Sequence, residues 1–152
     1  MGLAWQAAAR ELFEDKGQVL LVSAKNPDLA RTTQVEDLRA AEVIPRGPYA
    51  GIVWRVHSPL FAGLEILQPK LEPGGILLLV IETASLPEAL LGSVLGKPPR
   101  PRYVLEDVCE ALLLKGMGEP TLLASDKGSF AVSAKNPLDR SLLDAFFEQP
   151  LA

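Results

Sequence analysis

The sequence predicts an α/β fold: a three-layer sandwich around a mostly parallel sheet, with a C-terminal antiparallel hairpin. Three observations carry that expectation. Nearly continuous apolar runs occur at 19–24, 49–56 and 76–81, and such runs suit strands covered by helices on both faces. Segments with apolar residues at three- and four-residue steps alternate with them. Near the C-terminus TLLAS and SFAVSA are joined by DKG, the pattern of a hairpin.

The elements follow in order. Trp5, Ala9, Leu12 and Phe13 mark a helix over 3–15 that Gly17 ends. VLLVSA then forms a strand, closed by Asn26-Pro27 because the residue before proline is pushed out of helical geometry. Residues 28–46 admit two readings. Leu38 and Ala41, with Val35, can form a helical face, or Thr33 to Val35 can form a strand ending at Glu36-Asp37; the strand is preferred. YAGIVWRV at 49–56 is the next strand. Ser58 is then expected as an N-cap with Pro59 at the first helical position, opening a helix on Leu60, Leu64, Leu67 and Leu71. EPGG at 72–75 breaks that helix, and ILLLVI follows as an interior strand expected between 19–24 and 51–56.

Beyond it, Ser85-Leu86-Pro87 can start a short helix faced by Leu90, Leu91, Val94 and Leu95. KPPRPR at 97–102 must be a loop, since its prolines exclude regular structure. A helix over about 103–115 presents Val104, Leu105, Val108 and Leu112, with Cys109 on the same stripe. A hairpin over 121–134 and a terminal helix at 142–147 complete the reading.

Composition bounds the class. The 152 residues, 48% hydrophobic and 22% charged, are read as one domain spanning 1–152. A net charge of -4 argues against nucleic acid as a partner, because phosphates call for a basic face. The single Cys109 excludes an intrachain disulfide and a cysteine-based metal cluster, and implies a reducing, cytoplasmic compartment. ILLLVI is too short to cross a bilayer, and the opening residues lack the pattern of a signal peptide, so no membrane is expected. Two Asn and five Gln against 13 Pro is the composition of a heat-adapted source.

No metal motif and no phosphate-binding loop is present, and no catalytic residue is assigned. Candidate ligand contacts fall where the strands end, the place at which open α/β sheets bind ligands. They are Lys25 and Asn26 after the first strand, Glu36 and Asp37 before 49–56, Arg55 and His57 at the end of 49–56, and Glu82 after 76–81. Each has a plainer reading. His57 beside a helix start can be structural, Glu82 can cap a following helix, and Glu36-Asp37 can be a solvated turn. Arg55 is expected on the face opposite Val56. The hexamer VSAKNP occurs at 22–27 and again at 132–137. It reads either as two similar strand exits or as Lys25 and Lys135 jointly framing an anionic site.

The stretch from Glu36 to Glu82 resembles the second half of a class I S-adenosylmethionine-dependent methyltransferase. Leu64–Leu67, Leu71, Pro73-Gly74-Gly75 and Ile76–Ile81 are similar to that family's helix, turn and fifth strand, and 103–134 match its closing layout. The family carries a glycine-rich loop after its first strand, where the backbone approaches the cofactor closely. Here Ala24-Lys25-Asn26-Pro27-Asp28 follows instead, without glycine. The family's ribose-binding acid lacks a clear counterpart, Asp37 being matched to a later acidic segment. Only about 25 residues separate the first strand from Tyr49. The resemblance is thus to a truncated member of the family, similar in layout to the N-terminal domain of anamorsin.

Three functions follow. The first is a non-catalytic methyltransferase-like scaffold or binding module that uses no cofactor. The second is a methyltransferase with an atypical, shortened pocket, and the third an unrelated α/β domain binding another small molecule. A homodimer or a protein partner is expected, through the apolar face at 88–95 or Phe146-Phe147.

Overall fold

The computed structural model describes residues 4–15, 17–43, 49–57, 59–82, 104–126 and 129–136. Six strands form one sheet: β1 Val19–Val22, β2 Thr32–Val35, β3 Tyr49–Val56, β4 Leu71–Glu82, β5 Gly118–Asp126 and β6 Ser129–Lys135. Their spatial order is β2-β1-β3-β4-β6-β5. The first four are mutually parallel, and β6 runs antiparallel to both β4 and β5. The helices are α1 Ala4–Phe13, α2 Leu38–Val43, α3 Leu60–Leu67 and α4 Leu105–Leu114. The expected α/β sandwich is therefore present, with its parallel sheet and antiparallel C-terminal pair.

Burial explains the unbroken apolar runs. Every residue of β1 is buried, as are Ile76 to Ile81 of β4. Alternate side chains enter two cores. Leu20, Ile52, Trp54, Leu77 and Leu79 face α2, α3 and α4, while Leu21, Val53, Ile76, Leu78 and Val80 face α1. Loop residue Leu29 joins the second core beside Trp5, Ala9 and Phe13.

Four expectations are corrected. Residues 28–46 hold both elements that had been weighed against each other, strand β2 and helix α2, because Glu36-Asp37 turns the chain between them. β4 lies between β3 and β6; β1 borders β3 on its far side and does not touch β4. Helix α3 ends at Leu67, a 3-10 turn covers Gln68–Lys70, and Leu71 is already in β4, paired with Tyr49. EPGG thus sits inside the strand as a bulge, with Gly74 at φ 79, rather than ending the helix. Pro59 is the N-cap of α3 and supplies no side-chain cap bond. The expected helices near 85–95 and 142–147, the loop 97–102, Ser58 and the Phe146-Phe147 pair lie outside the described residues.

Candidate functional site

Because β2, β1, β3 and β4 are parallel, their carboxyl ends share one edge of the sheet. That placement gathers Lys25, Asn26, Glu36, Asp37, Arg55, His57 and Glu82 along one edge, although they span much of the chain. Their detailed geometry separates them into three groups.

Residues 23–31 connect β1 to β2 without a helix. Ser23 takes the left-handed conformation, φ 56, as does Asp28 at φ 69. The turn for which glycine is the usual residue is thus made by a serine held in place. The Ser23 amide donates to the Val35 carbonyl at 3.0 Å, and its hydroxyl donates to the Glu36 carbonyl at 2.7 Å. Asn26 closes the loop: its Oδ1 accepts from the Leu29 amide at 2.7 Å and its Nδ2 donates to the Leu29 carbonyl at 3.1 Å. Gln34 Nε2 donates to the Ala24 carbonyl at 3.1 Å. Lys25 between them is exposed.

Asp37 caps a helix. Its Oδ1 accepts the Ala40 amide of α2 at 2.9 Å, the usual work of an N-cap carboxylate. Glu36 beside it is exposed, with its carbonyl bound by Ser23.

Arg55 and Glu82 form the third group. Arg55 pairs in register with Val80, and Glu82 lies two residues farther along the same face. The guanidinium donates to Glu82 Oε1 through Nε at 2.7 Å and through Nη2. Arg55 is on the face opposite Val56, as strand alternation requires. The pair is partly exposed, so its two charges neutralise each other at the rim of the α1-facing core. His57, two residues beyond Arg55, is exposed and not without a partner.

The two VSAKNP copies do not share a site. Lys25 follows the carboxyl end of β1, whereas Lys135 pairs with Ile76 near the start of the parallel part of β4. β6 runs the other way, so its exit is at the opposite edge. There Asn136 Nδ2 donates to the Leu71 carbonyl at 3.0 Å and, more distantly, to that of Glu72, and its backbone exchanges bonds with Gly74 and Gly75. On that amino edge a cleft of about 320 Å³ is lined by Phe13, Val19 and Leu29 together with Glu14, Asp15 and Arg31. No periodicity or motif pointed to it, because these residues come from a helix end and a loop. Among the described residues no cluster of His, Cys, Asp and Glu could hold a metal ion, and no helix is long and apolar enough to cross a membrane.

The sheet order, the helices on both faces and the antiparallel last pair define a methyltransferase-like α/β fold. The apo structure of the S-adenosylmethionine-dependent methyltransferase SibL is similar with a TM-score of 0.57 at 14% identity, covering 88% of this chain and 54% of that one. An O-methyltransferase family protein from Burkholderia thailandensis gives 0.59 at 12% identity, over 90% and 56%. PigF with SAH gives 0.60 at 11% identity, over 88% and 61%. The chain thus spans between half and two thirds of the length of these proteins. No protein-family profile matches the sequence, and no curated protein is significantly similar to it.

Proposed function

We propose that this chain is a non-catalytic methyltransferase-like binding module, and that it does not bind S-adenosylmethionine tightly. The observation that carries the reading is the closed loop after β1. A cofactor cradle needs free backbone amides and room for close approach. In residues 23–31 the Ser23 amide is spent on Val35 and both polar atoms of Asn26 are spent on Leu29. The loop contains no glycine, and Pro27 withholds a further amide. Arg55 and Glu82 neutralise one another. Among the described residues no buried side-chain polar atom lacks a partner.

A second reading has one observation in its favour. Glu36 and Asp37 directly follow β2, the strand beside β1, and stand next to the turn at Ser23. Acids at that place can accept from ligand hydroxyls, which is what a shortened but working pocket would need. Isothermal titration calorimetry with S-adenosylmethionine and S-adenosylhomocysteine separates the two. No saturable heat is expected up to hundreds of micromolar. Saturable binding in the low micromolar range would overturn the proposal, and its loss in Glu36→Gln or in Asp37→Asn, which keeps the capping oxygen, would favour the second reading.

A further inference from the structure

We infer that the cleft on the amino edge of the sheet is a binding site for a small zwitterion with an apolar body, the chemical class of a free apolar amino acid. The inference is independent of the cofactor reading, which concerns the opposite edge. The cleft opens between two segments. Phe13, Glu14, Asp15 and Gly17 come from the end of α1 and the link to β1, and Leu29, Ala30 and Arg31 from the loop that leads into β2. Two contacts join these segments beside the opening. Arg10 of α1 reaches Asp28 at 4.0 Å, and the Val19 amide donates to the Arg31 carbonyl at 3.0 Å. The floor is apolar and preformed. Phe13, Val19 and Leu29 all belong to the core that faces α1, and the Phe13 ring lies where a Cβ on Gly51 would overlap it.

The ligand class follows from charge and size. The first segment carries Glu14 and Asp15, both exposed, at the carboxyl end of α1, whose dipole adds to their negative field. The second carries the exposed Arg31. Among the described residues none of these three forms an ion pair. Opposite charges that line one opening without meeting leave a place for an ammonium beside the acids. They leave another for a carboxylate beside the guanidinium, whose fork can bind both oxygens. The apolar floor takes the rest of the molecule. A volume of about 320 Å³ is at the small end of ligand pockets and suits an amino acid rather than a nucleoside. Because solvent screens the exposed charges, the affinity is low, roughly millimolar.

The test titrates the full chain and follows its amide chemical shifts by NMR. L-Phenylalanine should give saturable shifts at Gly17, Val19 and Ala30, and none at Glu36 or Glu82 on the opposite edge. Phenethylamine, which lacks the carboxylate, and hydrocinnamate, which lacks the amine, should each bind about tenfold more weakly. Arg31→Gln should weaken phenylalanine by a similar factor and leave phenethylamine unchanged. Glu14→Gln combined with Asp15→Asn should weaken phenylalanine and phenethylamine but not hydrocinnamate. All three positions are exposed, so circular dichroism should not change, and a merely structural effect would not sort the probes by charge. The absence of saturable shifts up to tens of millimolar, shifts confined to the opposite edge, or an amine that binds as tightly as the amino acid would each overturn the inference.

Discussion

Asn26 and Asn136 occupy equivalent places in the repeated hexamer but do different work. Asn26 ties one loop to itself, while Asn136 ties two distant segments together. Asn26→Ala is expected to cost about 1 kcal/mol in urea unfolding, the ordinary net worth of such bonds. Ser23 offers a finer comparison. Ser23→Ala loses the hydroxyl bond to Glu36 and keeps the left-handed backbone, whereas Ser23→Gly loses the bond and relieves the conformation. Ser23→Gly should therefore be the milder change, by about 1 kcal/mol. At Glu65, the hydrogen bond from Lys115 and its positive charge hold the carboxyl below the usual glutamate range. A carboxyl whose pKa is depressed on folding stabilises above the unfolded value and loses that contribution as pH falls through the folded one. Glu65→Gln should thus lower stability near pH 7 and leave it unchanged below both values, a small effect because Glu65 is exposed and solvent screens the pair.

Elements show why some glycines are fixed. Gly63 of α3 lies flat against the Trp54 ring of β3, and a Cβ there would overlap the indole. Trp54 is buried and cannot retreat. Gly63→Ala should therefore destabilise by about 1–3 kcal/mol, the cost of overpacking a filled core, although alanine is the better helix former. Thermal unfolding followed by tryptophan fluorescence measures it. Strand spacing made Arg55 and Glu82 legible as residues of one edge. Their pairing was not, since it depends on which strand lies beside β3 and in which register. The same limit applies to residues 28–46. Periodicity scores a strand and a helix as rivals over one window, and a chain that turns at Asp37 accommodates both.

At the scale of the molecule, Asn136 joins the hairpin to the bulged start of β4, bonding the Leu71 and Glu72 carbonyls while its backbone meets Gly74 and Gly75. Asn136→Ala should leave those carbonyls without their side-chain donor and cost about 1–2 kcal/mol. Hydrogen exchange should then rise around Gly74 while the centre of β4 stays protected, because Ile76 to Ile81 remain paired on both sides. Uniform exchange along β4 would count against a local role. The alternation of buried strands and amphipathic helices, the hairpin and the edge on which the polar candidates fall were determined by the sequence alone. Each depends on local periodicity and on side chains that must leave water wherever the segment ends up. Only the tertiary structure decided that β1 lies beside β3 rather than β4, that Lys25 and Lys135 stand at opposite edges, and that Asn26 and Ser23 are consumed in closing their own loop. Those outcomes depend on strand order, direction and register, which are set by contacts between residues far apart in the chain.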